Sequence, residues 1–114
     1  MNILDRLKLE LSNKQYFTDD EYIQLLSEEG LNSGDIFNKD EHYKKLLYVV
    51  LNILQMVSND TDLMRKINDG STEFSMSQAY TNLSKRIHEI QLKINSIADK
   101  DNENSNNIVI PFIL

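Results

Sequence analysis

The chain has no cysteine, no tryptophan, one proline and three glycines. Without cysteine it has no disulfide, no thiol nucleophile and no cysteine-based zinc site, which suits a reducing compartment. With so little proline and glycine there are few turn signals, which predicts long helices rather than many short strands. No apolar run approaches the roughly 20 residues that span a bilayer. The opening Met1-Asn2-Ile3-Leu4-Asp5-Arg6 lacks a basic segment leading into an apolar stretch, so no signal peptide and no membrane association are expected. Positive charge is also scarce, with 12 Lys and Arg against 18 Asp and Glu and a net charge of −6. Such a chain is a poor partner for nucleic acid or an anionic lipid surface.

The 114 residues suit one domain, and 40% apolar content is enough for one core. Ile3, Leu4, Leu7 and Leu11 recur at helical spacing behind Asn2, a candidate cap, and Ser12-Asn13-Lys14-Gln15 breaks that first helix. Thr18-Asp19-Asp20-Glu21 is a capping box, with Phe17 and Tyr22 at the hydrophobic-staple positions. Gly30 is a left-handed stop for this second helix, with Leu31 folding back on it. In the loop that follows, Ile36 and Phe37 are expected to tuck inward. Asn38 caps a third helix over about Asp40–Ser58, apolar over most of its circumference and therefore central. Its start, from Asp40 through Tyr43 to Lys45, is expected to be wet. A short helix over Asp62–Asn68 should bury Leu63, Met64 and Ile67. Ser71 to Phe74 is expected to be extended or looped, with Phe74 as an anchor.

The last helix is expected to begin at a second capping box, Ser75-Met76-Ser77-Gln78. Met76, Tyr80, Leu83, Ile87, Ile90, Ile94 and Ile97 then follow alternating steps of four and three. The flanking positions carry Arg86 and Lys93 but no acidic complement, so the stripe is expected to pack on the third helix rather than on another chain. Arg86 and Lys93 are left to meet the acidic second helix of this chain or of a neighbour.

The predicted fold is mainly α: a compact bundle of four to five helices over residues 1–98, with an extended C-terminal arm. A polar spacer covers residues 99–107. Residues 108–114, Ile-Val-Ile-Pro-Phe-Ile-Leu, are all apolar or proline. The β-branched residues favour an extended strand and Pro111 excludes helix there. A greasy segment on a polar spacer has to be buried somewhere, and an extended one suits a sheet edge or a groove.

Motifs that carry chemistry are not found. His42 and His88 have no helical carboxylate or histidine partner and read as surface residues. Asp19-Asp20-Glu21 reads as helix-start charge, not a calcium loop. No phosphate-binding glycine loop or serine-nucleophile motif is present. No catalytic, cofactor-binding or metal-ligating residue is assigned, and the chain is not expected to be an enzyme.

The order of parts carries a resemblance. Phe-Thr-Asp-Asp-Glu-Tyr (17–22) opens a short acidic helix, and a long apolar helix (46–57) follows. Asp-Leu-Met-Arg-Lys-Ile (62–67) comes next, then Glu-Phe-Ser-Met-Ser-Gln-Ala-Tyr (73–80) with Leu83, Arg86 and Ile87. This organisation resembles the small helical head–tail connector, or head-completion, proteins of tailed bacteriophages, over residues 17–97. The resemblance implies a structural virion protein forming a ring of about twelve copies at the capsid neck, a cyclic assembly of one subunit. The ring joins the portal protein to tail or neck proteins, and DNA passes its channel without specific binding. The interface residues implied are Phe74 and, in the C-terminal segment, Ile108, Val109, Ile110, Phe112, Ile113 and Leu114. The location implied is the virion, with host cytoplasm during assembly. The competing expectation is a cytoplasmic helical adaptor or regulator of a phage or bacterium, binding a partner protein through its last helix or tail.

Overall fold

Asn2 starts the first helix, α1 (Ile3–Glu10), by accepting a hydrogen bond from the Asp5 N–H at 2.8 Å. Helices α2 (Asp19–Glu28), α3 (Lys39–Ser58), α4 (Thr61–Ile67) and α5 (Glu73–Ser96) follow. The structure is a computed structural model; it describes residues 1–67 and 73–97, without the side chains of 65–67 and 73–75. Among the described residues the fold is mainly helical, and the one extended pairing is a bridge between Asn2 and Ile36. No helix among them is long and apolar enough to cross a membrane. The spacer and the arm expected over 99–114 lie outside the described residues.

Local signals set most of the boundaries. Thr18 Oγ1 accepts from the Glu21 N–H at 3.2 Å, and Glu21 Oε1 accepts from the Thr18 N–H at 2.9 Å, so the capping box closes reciprocally. The Phe17 and Tyr22 rings meet edge-on with centroids 6.2 Å apart, which makes the staple. At the other end Gly30 takes φ +79°. Its N–H reaches Ser27 O and the Leu31 N–H reaches Leu26 O, both at 2.9 Å, the paired bonds of a Schellman stop.

Helix α3 is the centre. Leu46, Leu47, Val49, Val50, Leu51, Ile53, Leu54 and Val57 are all buried, and only Met56 of its predicted apolar set is exposed. The other four helices all pack on it. Principal extents of 49 × 31 × 18 Å fit two helix layers, each about 10 Å across. Helix α5 lies antiparallel to α3. Lys93 Nζ donates to the Tyr43 hydroxyl at 3.1 Å, and Lys44 Nζ caps the far end of α5 through Ile97 O at 3.2 Å. Ile90 and Ile94 are fully buried, and the remaining stripe residues of α5 pack half-buried against the same core. The stripe therefore serves intramolecular packing.

Three expectations change. Ile36 does not tuck inward; it is 71% exposed. The Ile3 N–H bonds Asp35 O and the Phe37 N–H bonds Met1 O, both at 2.9 Å, which holds this stretch extended. Neighbouring side chains then point to opposite sides, and Phe37 takes the inner one. Tyr43 is not wet but buried, because its ring sits among cations: Arg6 at 5.5 Å, Lys39 at 5.2 Å and Lys93 at 5.6 Å from the centroid. Helix α5 begins at Glu73, so Phe74 and Ser75 are helical rather than looped and capping. An acidic residue in the first turn suits the helix dipole, and a Ser-x-x-Gln pattern caps only from a non-helical serine.

Candidate functional site: a cleft between helix α5 and the end of helix α1

Helices α1 and α5 both pack on α3, and their backbones do not approach each other closely. The space between them is a cleft of about 520 Å³. Its floor is apolar and comes from Leu54 and Val57 of α3 and Met64 of α4. One wall is the end of α1 with the loop after it, from Glu10 through Tyr16. The other is one face of α5 bearing Gln78, Ala79, Asn82, Leu83 and Arg86.

The α1 wall is unusually shaped. Ser12 and Asn13 both have φ +60°, a left-handed conformation that costs a non-glycine residue roughly 1–2 kcal/mol. The Asn13 N–H bonds Lys8 O at 2.8 Å and the Ser12 N–H bonds Leu9 O at 3.0 Å. The helix thus ends in a Schellman-type turn built without glycine, which swings Lys14 to Tyr16 along the cleft rim.

Tyr22 fixes that rim from below. Its hydroxyl accepts from the Tyr16 N–H at 3.0 Å and the Phe17 N–H at 3.4 Å, and donates to Lys14 O at 3.2 Å. One donor and two lone pairs are thereby all used. Burial pushes the Tyr22 hydroxyl above the ordinary tyrosine value, against the pull of the Phe17 and Tyr16 N–H groups and of Lys8. Burial also raises Tyr16, helped by Tyr22 and opposed by Arg86.

Arg86 bridges the cleft. Arg86 Nη2 donates to Glu10 O at 3.0 Å and to Glu10 Oε1 at 3.3 Å. Glu10 Oε2 meets Arg6 Nη2 at 2.9 Å. One carboxylate thus holds two guanidiniums, and Arg6 in turn stacks 4.7 Å from the Phe37 centroid. The partner expected for Arg86 and Lys93, the acidic helix α2, is not the one used. Arg86 reaches α1, and Lys93 reaches Tyr43 of α3. Helix α2 spends its first turn elsewhere: Asp19 meets Lys8 at 2.9 Å, and that hydrogen bond holds its carboxyl below the ordinary value.

Among the described residues no polar or charged residue is buried, and no group of three metal-ligating side chains converges. His42 Nδ1 accepts from the Asn38 N–H at 2.9 Å and so supports the start of α3; His88 is exposed. An apolar floor with a polar rim is the anatomy of a protein-binding surface. Sequence reasoning did not find this cleft; Arg86 was placed beside the stripe but not opposite α1. Of the residues expected at interfaces, Phe74 lies in the first turn of α5 with its side chain outside the described residues, as are Ile108 to Leu114. No protein-family model, curated protein or solved structure matches this chain.

Proposed function

We propose that this chain is a non-enzymatic adaptor subunit, a head–tail connector that forms a ring below the portal of a tailed phage and joins capsid to tail. The cleft carries this reading. A ring adaptor needs a preformed acceptor for a segment of another protein, and an apolar-floored groove of about 520 Å³ with a charged rim has the size and character for one. The helical fold agrees with what the family resemblance implies. The net charge of −6 suits a channel wall that lets DNA pass without holding it. The neck of the virion is the proposed location.

The test uses the portal protein of the same genome and size-exclusion chromatography with light scattering. The wild-type chain is expected to co-elute with the portal as a discrete complex. Asn82 is exposed on the rim, so Asn82→Trp should leave the fold intact and block the cleft. Loss of co-elution in that variant supports docking at the cleft. Absence of any complex with the wild-type chain overturns the connector assignment. A complex that survives Asn82→Trp overturns the cleft as its docking surface.

A further inference from the structure

The cleft is open on the described residues, and the same chain carries an apolar segment beyond them. We infer that residues 108–114 of the same chain occupy this cleft in the free subunit, as an intramolecular stopper that a partner has to displace. The inference rests on reading the cleft as a protein-docking surface, and it names the first occupant.

Reach comes first. Leu83 lies fourteen residues before Ile97 in α5, about 21 Å along the helix axis at 1.5 Å per residue. The intervening residues 98–107 extend at most about 33–36 Å, so the segment reaches back with slack. A ten-residue coil has an r.m.s. span of roughly 16–19 Å. Effective concentration peaks where the r.m.s. length of a tether matches the span, and there it is in the millimolar range. A free second copy at micromolar concentration competes poorly with that.

Charge and shape agree. The stretch carries Asp99, Asp101 and Glu103 against Lys100, and it has to run back beside α5, which carries Lys85, Arg86 and Lys93 against Glu89, with Arg86 already held by Glu10 and Lys93 by the Tyr43 hydroxyl. The apolar floor of Leu54, Val57 and Met64 accepts side chains such as Phe112 and Leu114 without asking for a hydrogen bond. An extended segment puts Ile108, Ile110, Phe112 and Leu114 on one side, so four apolar groups face one direction.

The absence of native cysteine makes the test clean. Ile113→Cys in the full chain takes a single nitroxide label, and methyl groups of Ala79, Leu83 and Met64 are observed by NMR. Line broadening is expected at these methyls in a chain that carries both the label and the isotopes. It is not expected in a mixture of spin-labelled, isotope-free chain with isotope-labelled, spin-free chain. Asn82→Trp should remove the broadening. No broadening at the cleft in either sample overturns the inference. Broadening only in the mixture also overturns it, by assigning the cleft to a second copy. Neither result touches the portal complex, whose own failure is read separately by co-elution.

Discussion

Tyr22→Phe is a sharp probe of how the cleft rim is held. The hydroxyl is the shared partner of Lys14 O, the Tyr16 N–H and the Phe17 N–H, and the residue is fully buried. Its removal creates no large cavity but strands the three backbone groups. The Phe17 contact at 3.4 Å is long and contributes little. Each of the other two is worth about 1 kcal/mol net, and leaving a buried group unpaired costs about 1–3 kcal/mol. Partial rewetting of the loop lowers the sum, so the expected loss is roughly 2–3 kcal/mol. For a domain of this size that lowers Tm by roughly 8–13 °C. Urea unfolding followed by circular dichroism measures it, with an unchanged m-value. A pH series adds a second readout. The folded-state pKa of Tyr22 is raised, so the wild type is fully stabilised below the unfolded value of 10.0 and loses that stability as pH climbs through the folded value. The variant should lack this part of the alkaline decline. A loss under about 0.5 kcal/mol, with the decline unchanged, would refute the role given to the hydroxyl.

Other substitutions test separate parts of the account. Gly30→Ala should cost about 1–2 kcal/mol from backbone conformation alone, since an added Cβ meets nothing nearer than Lys45 Nζ at 3.8 Å; thermal unfolding reads it. Ile36→Ser should change stability by no more than about 0.5 kcal/mol, because the side chain is exposed; a large loss would put Ile36 back in the core. A double-mutant cycle of Glu10→Gln and Arg86→Ala should give a coupling below about 1 kcal/mol that shrinks in high salt, since Arg86 is more than a third exposed.

The helices were legible because their signals are local. The Thr18 box, the Gly30 stop and the stripe of α5 each need only a few neighbouring residues, and each is found where it was read. Ile36 and Tyr43 were misread because tertiary contacts decide their exposure: the pairing of residues 35–37 with the N-terminus, and three cations from α1, α3 and α5 around one ring. The cleft was illegible for the same reason. Its bridge joins Glu10 to Arg86, 76 positions apart, and its floor belongs to α3 and α4. The one local hint was Ser12-Asn13, correctly read as a break but not as a left-handed turn.

The central claim is that the cleft receives a partner protein. A photo-crosslinking amino acid at position 82, on the rim, addresses it directly in the complex with the portal. Position 24 is the control, exposed on α2 and not among the residues lining the cleft. The account expects a portal adduct from position 82 and none from position 24. An adduct from position 24 alone, in a complex that forms normally, would contradict it.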